Sequence, residues 1–356
     1  MSSSRSSILV ISIVLSFIFS IGSQIISPQP SAAAELTISA AGDFGCSSNV
    51  GKSISNIKNK GADLFLALGD LSYESTAKCW FDKIKPIDSK TRINIGNHDD
   101  DSKKLLDSYL KHFGLSKQYY SFDFKSVHVL TMATELNYKK DSKQFNFVKG
   151  DLEKASQDPK IKWIIVNLHK PVYASPNGCS ASSCEGSKTL RDVYHPLFDK
   201  NGVDLVLSGH VHNYQRSFPI KHNDDKPSKP TITSTNKHNY NNPGGEIYAI
   251  VGTGGASFNS LDGKSSFIAS QQASRFGVLH LDITDNKLEG TFLGNDGSVR
   301  DEFSITKSGA NSNAFSSNSI SSSSMSGSSN SPALRTSSNS MSSSASSSSS
   351  SSVNPF

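Results

Sequence analysis

Five short segments of this 356-residue chain gather side chains that bind metal ions. They are Gly42-Asp43-Phe44-Gly45, Gly69-Asp70-Leu71-Ser72-Tyr73, Gly96-Asn97-His98-Asp99, Val166-Asn167-Leu168-His169 and Gly209-His210-Val211-His212. Carboxylates, imidazoles, an amide oxygen and a phenol are donors to hard and borderline cations. Taken singly, each has a plainer use. An Asp before Gly or Leu sets a turn, Tyr73 fills a core or rim, and His169 before Lys170-Pro171 is a buried, hydrogen-bonded imidazole. Asp99, Asp100 and Asp101 cap the helix that follows them. These uses leave the positions unexplained: Asp43, Asp70, Asn97, His169 and His210 each come directly after an apolar run that reads as a strand. In open α/β sheets, ligand sites gather outside the carboxyl ends of strands, so five strand tips would converge on one place.

The elements that must position them alternate between about Glu35 and Thr306, short β-rich runs with polar helical stretches, as in strand-helix units. Strands are expected at Leu36 to Ala41, Leu64 to Leu68, Arg92 to Ile95, Trp163 to Val166 and Leu205 to Leu207. Helices are expected at Ser53 to Lys60, Ser102 to His112, Ser142 to Ser156 and Thr189 to Lys200. From Glu246 the pattern becomes a succession of strands, Glu246 to Val251, Phe276 to Ile283, Lys287 to Leu293 and Val299 to Thr306, so the second half of the core reads as antiparallel.

The five segments, in this order, resemble the blocks of the calcineurin-like metallophosphoesterases, and more narrowly of the purple acid phosphatases. Gly-Asn-His-Asp and Gly-His-Val-His are rare strings, and the stretch Tyr248 to Gly255 is also similar to that family. The purple subgroup is marked by Asp43-Phe44-Gly45 in the first block and Tyr73 three residues after Asp70 in the second. The resemblance implies an α/β (α+β) fold of two facing mixed β-sheets flanked by helices, an αββα sandwich. It implies two metal ions: Fe(III) held by Asp43, Asp70, Tyr73 and His212, and a divalent Zn, Mn or Fe ion held by Asp70, Asn97, His169 and His210. Side-chain chemistry agrees with that division, because a phenol and two carboxylates suit a trivalent ion while an amide and two imidazoles suit a divalent one.

Such a pair would hydrolyse phosphate monoesters, hydroxide attacking phosphorus in line. His98 matches the family position that protonates the leaving group. Related readings are a phosphodiesterase acting on nucleotides or phospholipid head groups, and a non-catalytic cell-surface binding protein. This chain departs from the larger plant-type members in two ways: its first block lies within ten residues of a cleavage site expected after Ala34, and Asn177-Gly178-Cys179-Ser180 stands where they carry substrate-contacting histidines. Asn213, Tyr214 and Arg216, after the last block, either line the pocket or start a hairpin.

Composition sets the boundaries. Arg5, the apolar run Ile8 to Phe19 and Ala32-Ala33-Ala34 describe a secretory signal peptide over residues 1–34, the alternative being an uncleaved anchor. The catalytic domain is expected over residues 35–307, followed by a disordered Ser-rich tail over 308–356 that cannot bury enough surface to offset its ordering entropy. The net charge of +5 is dispersed, which argues against a dedicated nucleic-acid partner and leaves a small phosphate ester as the expected one. Four cysteines, Cys46, Cys79, Cys179 and Cys184, fit disulfides in a secreted or cell-surface protein. Of three pairings, Cys179 with Cys184 and Cys46 with Cys79 is preferred, the second pair lying just beyond site segments. His112, His128, His195, His222, His238 and His280 match no block and read as surface or satisfied core residues.

Overall fold

The computed structural model describes residues 35–180 and 182–308, so the signal-peptide expectation and all but the first residue of the tail lie outside the described residues. In chain order the first elements are β1 (Leu36–Ala41), α1 (Ser48–Lys60), β2 (Leu64–Ala67), α2 (Lys78–Ile84) and β3 (Thr91–Ile93). Then come α3 (Lys103–His112), β4 (Tyr120–Phe124), β5 (Val127–Thr131), α4 (Lys143–Ala155), β6 (Trp163–Leu168), α5 (His195–Asn201) and β7 (Leu205–Ser208). The remainder is strand: β8 (Tyr214–Ser217), β9 (Ile220–Lys221), β10 (Thr231–Ile232), β11 (Asn239–Asn241), β12 (Ile247–Val251), β13 (Ile268–Gln272), β14 (Gly277–Ile283), β15 (Lys287–Gly294) and β16 (Val299–Thr306).

Local chemistry explains the helix ends. Ser102 and Ser142 cap α3 and α4 by accepting the N–H groups of Leu105 and Phe145. Gly61 stops α1 in the left-handed region at φ 75° and returns its N–H to the carbonyls of Ile57 and Lys58.

Two seven-stranded mixed sheets result, ordered β11-β16-β15-β14-β1-β2-β3 and β13-β8-β12-β7-β6-β5-β4. They face one another, and the alternation of side chains along β6 shows how. Trp163 and Ile165 join the core shared by both sheets, while Ile164, Val166 and Leu168 turn to the outer face, where Val148 and Leu152 of α4 and Phe198 of α5 cover them. Ile54, Ile57, Trp80, Ile84 and Leu105 bring α1 to α3 onto the larger core. The fold is therefore the two-sheet sandwich with outer helices that the motifs imply.

The second half is not simply antiparallel. β14, β15 and β16 form the antiparallel run expected, but β12 lies parallel to β7 inside the other sheet. Its five residues are all buried, the mark of a central strand covered on both faces. Among the described residues, no helix is long and apolar enough to cross a membrane.

Candidate metal centre

The tips of β1, β2, β3, β6 and β7 converge, and the side chains that follow them meet. Asp70 Oδ2 lies 3.3 Å from His169 Nε2, and the same nitrogen lies 3.2 Å from Asn97 Oδ1 and 3.3 Å from His210 Nδ1. On the other side, Tyr73 Oη is 3.1 Å from Asp43 Oδ1 and 2.7 Å from His212 Nε2, which is itself 3.4 Å from Asp43 Oδ1. Two ligand clusters follow, Asp70 with His169 and His210, and Asp43 with Asp70 and His212, with the donor atoms of each within 4.8 Å of one another. Asp70 belongs to both. All seven residues named as ligands from the sequence thus stand around one centre.

Backbone geometry aims these donors, and it is not visible in residue types. Asp43, Asp70, Tyr73 and His210 have φ of 60°, 52°, 55° and 69°, so four of the seven described non-glycine residues with positive φ are in this group. Side chains other than glycine enter that region at a cost of about 1–3 kcal/mol, held there when the surroundings overdetermine them. Here the surroundings do so through backbone hydrogen bonds: the N–H groups of Asp43, Phe44 and Gly45 donate in sequence to the carbonyls of Gly69, Asp70 and Leu71. The β1 and β2 loops are laced together before any side chain acts.

Further groups orient the donors. His169 Nδ1 lies 2.8 Å from the Leu68 carbonyl and His212 Nδ1 lies 2.7 Å from that of Ser257, so each ring donates there and turns Nε2 inward. The His98 N–H donates to Asp70 Oδ1 at 2.9 Å and the His210 N–H to both oxygens of Asp43. The His98 ring packs at a tilt against Tyr73 at a centroid distance of 4.6 Å, with its side chain 45% exposed and Asp101 Oδ2 3.7 Å away. It borders the centre from the solvent side.

Asp99 was expected to be a cap and is not; Ser102 takes that place. Its fully buried carboxylate accepts the N–H of Leu71 on Oδ1 and of Gly96 on Oδ2, tying the loop after β2 to the loop after β3. Burial, with the Asp70 carboxylate nearby, pushes its pKa up to about 8. Beneath it, Asn94 donates to the Met132 carbonyl and to Asn167, linking the two sheets under the centre. Two glycines have no substitute there: a Cβ on Gly96 would fall 2.1 Å from Asp70 Oδ1, and one on Gly209 would fall 2.6 Å from Asp43 Oδ2.

The structure joins Cys46 to Cys79 and Cys179 to Cys184. Cys46 also contacts the Ser72 carbonyl, beside Tyr73, and the second pair packs on Val211, between His210 and His212. Tyr214 and Arg216 are buried in β8, where both bind Asp301, and β8 pairs with β12 and β13 and makes no hairpin with β9. Among the remaining histidines, His128 is held by Asp123 and Asp151 and His280 by Ser39 and Asn56. His195 differs from the expectation of a satisfied core histidine, because its buried Nε2 has no hydrogen-bond partner among the described residues.

The donor set fits cations. Burial opposes the charge on Asp70, yet the facing His169 and the His98 N–H hold its carboxyl well below the usual range. Burial likewise opposes charge on His169, but Asp70 and Asp43 drive it up to about 10. Burial and the neighbouring His169 lower His210 to about 4. Burial and the carboxylates of Asp43 and Asp70 push the Tyr73 phenol far above its ordinary value. The Asp70 carboxylate is thus balanced by a proton on a buried imidazole, the charge that a bound cation would supply instead.

With this geometry in hand, the family model for the calcineurin-like phosphoesterases matches residues 36–214, β1 through the first residue of β8. The chain belongs to the calcineurin-like phosphoesterase family. Among its relatives are purple acid phosphatase 22 and purple acid phosphatase 21 of Arabidopsis thaliana, 29% identical over 208 residues and 30% over 209. Each alignment covers 53% of this chain and 47% of the relative, so the chain spans about half the length of the curated relatives it matches. A purple acid phosphatase from yellow lupin (Lupinus luteus) seeds has a similar structure, with TM-score 0.64 and 25% identity over 79% of this chain and 55% of that one.

Proposed function

We propose that this chain is a secreted phosphomonoesterase of the purple acid phosphatase type. Asp43, Asp70, Tyr73 and His212 would hold Fe(III), and Asp70, Asn97, His169 and His210 would hold a divalent zinc, manganese or iron ion. The observation that carries the reading is Asp70, the one carboxylate common to both ligand clusters. When bound, paired cations of this kind neutralise phosphoryl oxygens and acidify water enough for it to attack at neutral or lower pH.

The rest belongs to the chain. Asp70 and Asp43, fixed by the N–H groups of His98 and His210, supply the negative charge that holds cations. Tyr73, whose phenol resists ionisation beside two carboxylates, gives up its proton only to a highly charged ion, which favours the trivalent assignment. His169 and His210 present one nitrogen each to the second cluster, the composition of a divalent site. His98, packed at a tilt against Tyr73 with its side chain 45% exposed, would donate a proton to the oxygen of a departing alcohol. Two disulfides favour an oxidising compartment, in keeping with secretion.

The test is hydrolysis by purified, iron- and zinc-loaded protein of an aryl phosphate and the corresponding bis-aryl diester. The reading expects the monoester to be the better substrate, with the activity lost in Asp70→Asn. A strong preference for the diester would move the assignment to a phosphodiesterase. No hydrolysis of either, by folded and metal-loaded protein, would favour a binding protein.

A further inference from the structure

A second cluster of ligand-type side chains lies apart from the centre just described and shares no residue with it. His195 and Asp199 are one turn apart on α5, so they project from the same face. Glu246, immediately before β12, faces them, and the donor atoms of all three lie within 4.8 Å of one another. His195 is fully buried, and its Nε2 stands 3.1 Å from Glu246 Oε1 and 3.9 Å from Asp199 Oδ2 without a hydrogen bond to either. Asp199 Oδ1 is also buried without a partner, as is Nδ1 of His222, whose ring lies 5.4 Å from that of His195.

The neighbours orient these groups as they would ligands. Tyr173 Oη lies 2.7 Å from His195 Nδ1, which leaves Nε2 for the interior of the cluster. The Tyr248 hydroxyl donates to Glu246 Oε1 and the His222 N–H to Asp199 Oδ2. A wide π-helical turn, Leu190–Tyr194, directly precedes α5 and sets the direction in which His195 points. Two carboxylates and two imidazoles, with three buried polar atoms left without a hydrogen-bond partner among the described residues, are costly unless something charged satisfies them.

We propose that His195, Asp199 and Glu246, with His222 as a fourth donor, form a divalent-cation site of zinc type that fastens α5 to the segments after β9 and before β12. One or two imidazoles with carboxylate oxygens make a set that zinc accepts at four-coordination. Asp199 retains 20% side-chain exposure, giving an ion a way in. This inference does not rest on the hydrolase reading.

The direct test is anomalous diffraction at the zinc edge from crystals of the full chain equilibrated with zinc, wild type and Asp70→Asn. The proposal expects a peak among His195, Asp199 and Glu246 in both, and its loss in Glu246→Gln. In solution, a chelator should lower the Tm of Asp70→Asn and leave Asp70→Asn/Glu246→Gln unmoved. Should Glu246→Gln not fold, His195→Gln serves as the removal variant, and the wild-type map decides by itself. No peak at this position, or a peak undiminished in a folded removal variant, would overturn the proposal and leave a cluster held by a shared proton.

Discussion

The phenol of Tyr73 lies between Asp43 and His212, and if it binds Fe(III) as proposed it should colour the protein, because a phenolate on Fe(III) absorbs visible light while a phenol does not. Iron-loaded protein should be pink to violet and Tyr73→Phe should be bleached with its fold intact, as read by the visible spectrum and circular dichroism. A colourless iron-loaded wild type would remove Tyr73 from the ligand set. Gly96 offers a test of positioning: a methyl group there has no room beside Asp70 Oδ1, 2.1 Å away. Displacing a reacting centre by about 1 Å costs on the order of 10²-fold in rate, so Gly96→Ala should lower kcat on an aryl phosphate by at least about that factor. Wild-type kcat in that variant would show that Asp70 need not sit where it does.

At the scale of elements, His128 shows how a strand is tied to its neighbours. It stands on β5, with Nδ1 2.7 Å from Asp123 on β4 and Nε2 2.9 Å from Asp151 on α4. Burial alone would lower its pKa, but the hydrogen bonds to Asp151 and Asp123 outweigh burial and raise it above 6.5. A raised folded-state value means stability that is complete below the unfolded value and is lost as pH climbs through the folded one. The advantage of wild type over His128→Gln in urea midpoint should therefore be full below pH 6.5 and shrink above it. An advantage that grows with pH would contradict the pairing.

The same elements show what could be read in advance. β1 and β16 end where the sequence patterns place them, and α3 and α4 begin at serine caps visible as residue types. The β4–β5 hairpin and α2 were not read. β4 is half-buried with Asp123 exposed next to its last residue, and α2 has only seven residues and no side-chain cap. Motif order brought the seven donors together on paper, because strand tips are a matter of topology. The left-handed backbone at Asp43, Asp70, Tyr73 and His210 carried no such signal. Nor did the role of Asp99: in Asp99-Asp100-Asp101-Ser102 capping chemistry suits every member, and only tertiary structure decides that Ser102 caps while Asp99 ties two loops.

For the molecule as a whole, the question is what holds two sheets face to face around a polar centre. Apolar packing does most of it, and away from the metal centre a buried ion pair also crosses between the sheets. Arg216 of β8 binds Asp301 of β16 through Nε at 2.6 Å and Nη2 at 3.0 Å, and Tyr214 donates to the same carboxylate. The guanidinium is further held by the hydroxyl of Tyr240 and the carbonyl of Lys237. Removing one partner of a buried pair strands the other charge at a cost of about 3–5 kcal/mol, so Asp301→Ala should lose about that much in denaturant unfolding. A loss under about 1 kcal/mol would mean that solvent reaches the pair.

The central claim is that a single carboxylate, Asp70, serves two cations at once, and metal content measures it most directly. Wild type and Asp70→Asn, purified alike and shown to be folded, should differ by about two ions per chain by elemental analysis. A difference of about one would mean that Asp70 serves a single ion, and no difference would mean that the cations bind elsewhere.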